Sequence, residues 1–210
     1  MDTRRKYPRT PHLPWSPGRG ADDTVLGASL PFEGREVVVT EKLDGENTTL
    51  SRSGMHARSL DSGPHPSRDW VKALQGRTGY LIPEGWRVCG ENVFARHSLP
   101  YDDLEGYFYL FSVWDDTNVA LSWDDTLAWA ARLGVPTPRE FYRGPWDERQ
   151  LRALQVNTDV TEGYVVRTVQ AFRYGDFQEH VAKFVRAGHV QTDEHWSRQP
   201  VTPNRLRSAR

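Results

Sequence analysis

The stretch EVVVTEKLDGENTTLSR, residues 36–52, holds the strongest structural signal in the chain. Its β-branched runs predict one strand over 36–40 and a second over 47–52. Lys42 follows the first strand directly, and Gly45 permits the backbone geometry of the turn that joins the two strands. We therefore expect Lys42 to project into a cleft between sheets, although Lys-x-Asp-Gly alone also fits a solvated hairpin turn.

Similar β-branched or aromatic runs continue along the chain and predict four more strands. They cover residues 86–90, 106–114, 163–168 and 180–185. Three helices are expected between the strands. Ser67 could cap the first, Ser122 and Asp125 form a capping-box pattern before the second, which Gly134 stops, and Pro145 begins the third. The mixture predicts an α+β fold.

The size and composition fit one compact domain. The 210 residues are 37% hydrophobic and carry a formal net charge of −1, which excludes a strongly basic nucleic-acid binder. A single cysteine and the lack of a long apolar segment favour a reducing, cytoplasmic location without a membrane span. We expect an irregular Pro-rich basic arm over 1–23, the main domain over 24–190, and a short basic C-terminal extension over 191–210.

Four more segments follow the Lys42 turn in order. They read GEN (90–92), FYLFSV (108–113), EGYVVR (162–167) and KFVR (183–186). With KLDG (42–45), they resemble the ordered motifs of the covalent nucleotidyltransferases, the superfamily of RNA ligases, DNA ligases and capping enzymes. Glu41 before the lysine, and Asn47 with Thr48 after the glycine, resemble the RNA ligase branch. The resemblance spans about residues 36–190.

This resemblance implies a nucleotidyltransferase core, ATP-grasp-like, with two antiparallel sheets flanked by helices and the nucleotide between the sheets. It implies an ATP-dependent RNA ligase that uses Mg²⁺ (or Mn²⁺). Lys42 would accept AMP from ATP and pass it to a 5′-phosphate on RNA, and a 3′-hydroxyl would then displace AMP. We expect the short stretch after residue 190 to hold no separate C-terminal domain, so that RNA binding would use this domain, its N-terminal arm or a helper protein.

The same resemblance assigns roles to individual residues. Lys42 and Lys183 would be catalytic. The expected nucleotide contacts are Glu41 to the adenine edge, Phe111 to the adenine face, Glu91 to the ribose, Arg58 to a phosphate, and Glu162, Lys183 and Arg186 around the phosphates. The expected metal ligands are Asp44, Glu91 and Glu162, directly or through water, because Mg²⁺ prefers oxygen ligands and keeps several waters.

The chemistry requires an unusual environment for Lys42. An ordinary lysine has a pKa near 10.4 and is almost entirely protonated at pH 7, whereas only the neutral amine can attack a phosphate. We expect a nearby cation, from Lys183, Arg186 or a bound metal, and partial burial to lower the pKa of Lys42.

Several alternatives stay open at this point. A DNA ligase or a capping-type guanylyltransferase would share the covalent chemistry. A nucleotide-binding module that does not ligate is supported by Ser112, where RNA ligases carry Asp, and by Val185, where they carry a second Lys. The histidines lack zinc-site spacing, and contact of His195 and Trp196 with nucleic acid is the less favoured reading of those residues.

Overall fold

Two antiparallel sheets form the framework of the protein, as the sequence predicted. The computed structural model describes residues 4–27, 30–188 and 201–208. The strands in these ranges are β1 (Glu36–Lys42), β2 (Glu46–Leu50), β3 (Met55–Ala57), β4 (Arg87–Asn92), β5 (Phe108–Trp114), β6 (Val119–Ala120), β7 (Glu140–Pro145), β8 (Gly163–Thr168), β9 (Phe172–Arg173) and β10 (Val181–Val185). One sheet has the order β10-β8-β1-β7, and the other has the order β3-β2-β4-β5-β6-β9.

The six strands predicted from the sequence are all present, and β7 is the longest of those that were missed. The prediction of a helix starting at Pro145 is wrong, because Pro145 is the last residue of β7 and lies opposite Glu36. β7 is at the edge of its sheet. Proline is tolerated there because an edge strand does not need every N–H group for pairing.

In the part of the chain that the structure describes, three α-helices cover the sheets: α1 (Asp69–Thr78), α2 (Trp123–Leu133) and α3 (Glu148–Arg152). The predicted ends of α2 are confirmed, since Ser122 accepts a hydrogen bond from the Asp125 N–H and Gly134 ends the helix with a φ of 66°. Ser67 does not cap α1 as expected. It lies inside a short 3₁₀ turn that precedes the helix, and the side chain of His65 caps that turn.

Each sheet buries its outer face in a separate hydrophobic core. Helices α1 and α2 cover the larger sheet in a cluster that includes Leu50, Val71, Leu74, Val88, Leu110 and Leu133. The N-terminal part of the chain and α3 cover the smaller sheet in a cluster that includes Leu13, Phe32, Val37, Val39, Leu151 and Val166. With these faces covered, the opposing inner faces are left to form a cleft.

The turn after β1 connects the two sheets. β1 belongs to the smaller sheet and β2 to the larger one, so residues 43–45 cross from one to the other, and the hairpin reading of this segment is wrong. Gly45 is needed here for a reason other than the expected turn geometry. A Cβ atom at this position would lie 2.5 Å from the Asn92 carbonyl oxygen, so only glycine allows β4 to approach so closely.

The N-terminal segment, defined here as residues 4–27, packs on the domain. Leu13 is fully buried, and the residue 12 backbone bridges both Val25 and Lys183 in parallel. The pairing thus extends the smaller sheet beyond β10. No helix in the described ranges is long and apolar enough to cross a lipid bilayer.

Candidate active site

The cleft between the sheets has a volume of about 1230 Å³. Typical small-molecule sites have roughly 300–1,000 Å³, so the cleft can hold a nucleotide with space to spare. Most of the predicted site residues line it, namely Glu41, Lys42, Asp44, Arg58, Glu91, Phe111, Glu162 and Lys183. Arg186 is not among the residues that line the cleft, and its expected place beside the phosphates stays a prediction. The roles given to the other residues stay predictions.

Lys42 is the last residue of β1, and its ammonium group is in contact with the Glu162 carboxylate. Burial disfavours the charge on Lys42, but the nearby carboxylates Glu162, Glu91 and Asp44 outweigh it and raise the pKa of Lys42. The expectation of a lowered pKa is therefore wrong for this state of the site. Lys42 is held as an ammonium by the acids that surround it.

Glu91 lies in β4 on the opposite wall of the cleft. Burial, together with the charges of Glu162 and Asp44, raises its pKa to about 8, against the opposing effects of Lys42 and of a hydrogen bond from the Gly45 N–H. Glu91 therefore holds a proton more tightly than an ordinary glutamate at neutral pH. Glu91, Glu162 and Asp44 all act electrostatically on Lys42, and their carboxyl oxygens are of the ligand type that Mg²⁺ prefers.

The carboxyl groups of the cleft do not form a complete metal-binding site. Among the residues that the structure describes, no three His, Cys, Asp or Glu side chains are grouped so that they could hold a metal ion. One oxygen of Asp44 is also engaged, since Oδ2 accepts hydrogen bonds from Ser98 N at 2.8 Å, from Ser98 Oγ at 2.5 Å and from Leu99 N at 2.9 Å. The metal role of Asp44, Glu91 and Glu162 therefore stays a prediction.

Aromatic and apolar side chains line one part of the cleft, next to the buried Arg167, and this part suits a flat aromatic ligand. Phe111 of β5 lies there, with Val165 of β8 and Phe172 also lining this part. The ring of Tyr7 meets Phe111 edge to face, with ring centroids 5.3 Å apart. No sequence motif indicates Tyr7, because its position depends on how the N-terminal segment folds back across the sheets.

Several cations besides Lys42 line the cleft, and two of them are the predicted site residues Lys183 on β10 and Arg58 after β3. Burial and the charge of Lys42 lower the pKa of Lys183, while Asp23 and Glu162 oppose this change. Arg58 donates from Nε to the Tyr7 carbonyl oxygen at 3.1 Å. Arg52, the competing candidate for the phosphate contact, donates to the Tyr80 carbonyl oxygen and does not line the cleft.

The chain termini supply cleft residues that the sequence motifs did not indicate. Arg9 and Asp23 come from the N-terminal segment, and Val201 and Thr202 come from residues 201–208, which we call the C-terminal segment. Neither region carries a recognisable motif, so only long-range packing could reveal these residues. The structure does not describe residues 189–200, and the suggested contact of His195 and Trp196 with nucleic acid lies in that range.

Asn204 attaches the C-terminal segment to the loop beside the Lys42 turn. Its side chain donates to Val93 O at 2.9 Å and accepts from Tyr101 N at 3.0 Å, and only 4% of the residue is exposed. The hydroxyl of Tyr101 accepts a hydrogen bond from Asp44 N at 2.8 Å. Asn204 is thus linked through one residue to the turn that carries Lys42.

Asn204→Ala is expected to destabilise the protein by about 2–3 kcal/mol, because buried groups of Val93 and Tyr101 lose their hydrogen-bond partner. Urea unfolding followed by circular dichroism measures this loss. Arg207→Ala is the matched control from the same segment, since its ion pairs with Asp103 and Glu105 are exposed and should contribute little. Equal stability of both variants would show that Asn204 does not hold the segment.

His12 predicts a specific dependence of stability on pH. Burial and the charge of Lys183 lower its pKa to about 4, from 6.5 in the unfolded chain, with Asp23 opposing. Between these values the unfolded state binds more protons, so stability falls as the pH drops from 6.5 to 4, by about 3 kcal/mol at most. Urea unfolding at pH 7 and pH 4.5 should show a smaller difference for His12→Gln than for the original protein. An identical difference in both would contradict the assignment.

Solved structures share this fold at low sequence identity. An archaeal ATP-dependent RNA ligase aligns with a TM-score of 0.58 at 19% identity, covering 87% of this chain and 48% of that protein. The Naegleria gruberi RNA ligase with PPi aligns with a TM-score of 0.54 at 20% identity, covering 73% of this chain and 50% of that protein. A variant of the Naegleria gruberi enzyme with ATP and Mn aligns with a TM-score of 0.51 at 17% identity, covering 73% of this chain and 50% of that protein.

The chain thus spans about half the length of these structural relatives. Among curated proteins, none is similar enough to count as a match. The RNA ligase family model matches residues 35–185, a range that contains all five motifs apart from the final Arg186. By this match over most of its length, the chain belongs to the RNA ligase family.

Proposed function

We propose that this protein is an ATP-dependent RNA ligase that carries AMP on Lys42. The observation that supports this most directly is the position of the Lys42 amine. It lies inside a nucleotide-sized cleft, in contact with Glu162 and close to Glu91, with Lys183 on the same wall. The relatives are described as ATP-dependent or contain ATP, Mn or PPi, which fits this chemistry.

The proposed reaction has three steps. The neutral Lys42 amine attacks the α-phosphate of ATP, forming a P–N bond while the P–O bond to pyrophosphate breaks. A 5′-phosphate of RNA then attacks the lysyl-AMP and takes the AMP, which releases the amine. A 3′-hydroxyl finally attacks that activated phosphate, forms the phosphodiester bond and expels AMP.

The aromatic side chains and the cations of the cleft would bind different parts of ATP. Phe111 would stack on the adenine, a contact worth roughly 1–3 kcal/mol per base. Arg58 and Lys183 would bind phosphate oxygens, and Lys183 would stabilise the negative charge that grows on them in the transition state. Because Lys183 and Lys42 repel each other, charge on Lys183 also favours the neutral amine that must attack.

The carboxylates of the cleft fit a divalent metal by their chemistry. Glu91, Glu162 and Asp44 would hold Mg²⁺ or Mn²⁺ directly or through water, and the ion would supply charge neutralisation at the reacting phosphate. Glu162 must also release the Lys42 ammonium before the amine can lose its proton. We infer that Glu162 has both tasks, holding Lys42 in the resting state and freeing it when ATP and metal arrive.

The test is to incubate the purified protein with Mg²⁺ and ATP labelled at the α-phosphate, and to look for labelled protein on a denaturing gel. Labelled GTP in a parallel reaction tests the capping-type alternative. The absence of any adduct with ATP, in protein shown to be folded, would favour a nucleotide-binding module that does not ligate.

RNA nicks with a 5′-phosphate and a 3′-hydroxyl should be sealed faster than all-DNA nicks of the same sequence. The 2′-hydroxyl is the group that distinguishes the two polymers. Sealing is measured by the lengthening of a labelled strand, with an RNA that lacks the 5′-phosphate as the control. Equal rates on RNA and DNA would remove the RNA-specific assignment, and sealing by the purified protein alone would remove the need for a helper protein.

A further inference from the structure

The N-terminal segment holds the backbone of Lys183 from the side opposite to β8. Lys183 N donates to Pro11 O at 2.9 Å, and Leu13 N donates to Lys183 O at 2.8 Å. On its other side, residue 12 bonds to residues 24 and 26, through His12 N to Thr24 O at 2.7 Å and Leu26 N to His12 O at 2.9 Å. The residue 12 backbone is therefore fixed directly beside Lys183.

The side chain of His12 lies in a buried chain of polar groups. His12 is fully buried, and its Nδ1 lies 2.8 Å from Ser16 Oγ. Ser16 Oγ accepts from Val185 N at 2.9 Å, and its hydroxyl hydrogen has a much closer acceptor in His12 Nδ1, at 2.8 Å, than in Val185 O, at 3.5 Å. In the neutral imidazole the proton is then on Nε2.

His12 Nε2 points toward Asp23. It makes no hydrogen bond of good geometry within the described ranges, and it lies 3.3 Å from Asp23 Oδ2. The same oxygen accepts from Gly20 N at 2.8 Å, which fixes the carboxylate from a second direction. Asp23 is 11% exposed at its side chain and lines the cleft together with Lys183.

The charges near Lys183 indicate how the Asp23 carboxylate acts on it. Lys42 and Arg58 repel the Lys183 ammonium, whereas Asp23 and Glu162 attract it. Glu162 is already bound to Lys42. Of the two attracting carboxylates, Asp23 has the larger effect on Lys183, and it belongs to the N-terminal segment that bonds to the Lys183 backbone.

We propose that Asp23 and His12 are positioning residues for Lys183. The buried His12 lies against the Asp23 carboxylate at the cleft wall, and the negative charge of Asp23 attracts the Lys183 ammonium on the same wall, where the reacting phosphate would bind. This inference rests on the proposed function, because Lys183 matters for the reaction only if a phosphate reacts in this cleft. It adds a pair of residues from the N-terminal segment to the site.

A double-mutant cycle tests whether Asp23 acts through Lys183. The rate of AMP transfer is measured in single turnover at saturating ATP for the original protein, Asp23→Asn, Lys183→Ala and the double variant. Asp23→Asn should slow the reaction about tenfold in the original background and have no further effect in the Lys183→Ala background. Asp22→Asn, an exposed neighbour, is the control and should react at the original rate.

His12→Gln should slow the reaction in the same direction as Asp23→Asn, and again only while Lys183 is present. Thermal unfolding of each variant checks that the protein is folded. An equal fold loss from Asp23→Asn in both backgrounds, or an unchanged rate for the single variant, would overturn the proposal.

Affinity for α,β-methylene ATP, which cannot release pyrophosphate, gives a second cycle on the same four proteins. If the original protein forms no AMP adduct, the proposed ligase function fails, and this binding cycle still decides the role of Asp23. Coupling between Asp23 and Lys183 in affinity would support the positioning pair. Independent effects of the two substitutions would reject it.

Discussion

Lys42→Ala is expected to abolish the transfer of AMP from ATP to the protein. Alanine has no nucleophile, and the three other lysines differ in environment from Lys42, which alone ends β1 in contact with Glu162. The labelled adduct should fall below detection, a larger effect than for any other substitution considered. The measurement is the label retained on the protein after denaturing electrophoresis.

Lys72→Ala is the matched control, because Lys72 is exposed on α1, away from the cleft. Its adduct should form at the original yield. The P–N bond of a lysyl-AMP resists alkali and breaks in acid, which separates it from an ester or acyl phosphate. An adduct of full yield in Lys42→Ala would place the nucleophile elsewhere and remove the central assignment.

Lys183→Ala is expected to slow AMP transfer by roughly a hundredfold or more, the effect typical of losing one group that stabilises charge in a transition state. The variant loses the cation beside the reacting phosphate and the repulsion that favours a neutral Lys42. Added Mg²⁺ should not restore the rate, because an ion in solution cannot replace a charge fixed beside the nucleophile. Single-turnover rates at saturating ATP over a series of Mg²⁺ concentrations measure this.

Glu162→Ala provides the comparison for Lys183. Its defect should be partly recovered at high Mg²⁺, because this substitution weakens the proposed metal site and also releases the Lys42 ammonium. A Lys183→Ala protein that reacts at the original rate would show that Lys183 is only a residue of the sheet. If Mg²⁺ restored the rate of AMP transfer to the same extent in both variants, the distinct roles proposed for Lys183 and Glu162 would be rejected.

Much of the fold could be predicted because its main strands are apolar at the positions that the cores bury. β1 is an example, since Val37 to Val39 are fully buried and the run ends directly at Lys42. β7 could not be predicted in the same way. Its Gly144 and Pro145 usually interrupt strands, and only pairing with β1 at the sheet edge makes them acceptable.

The residues that meet in the cleft were largely identified by their motifs. The predicted direction of the Lys42 pKa shift, however, was wrong. The sequence places Glu162 120 residues from Lys42, and no local pattern shows that their side chains touch. That contact, with Glu91 and Asp44 nearby, raises the pKa of Lys42 where a lowered value was expected. The sign of such a shift depends on the distances between charges, which only the folded chain sets.

The sequence by itself determined the two-sheet fold, the lysine at the end of the first strand, and the order of the segments around it. The strands follow from local runs of apolar residues, and the two-sheet arrangement follows from the family resemblance that the ordered motifs carry. Only the tertiary structure decided that Tyr7, Asp23 and Asn204 belong beside the cleft, because each lies in a segment of irregular backbone without periodicity. Such segments are positioned by hydrogen bonds to distant residues, as Asn204 is by Val93 and Tyr101, and those partners cannot be read from neighbouring positions in the chain.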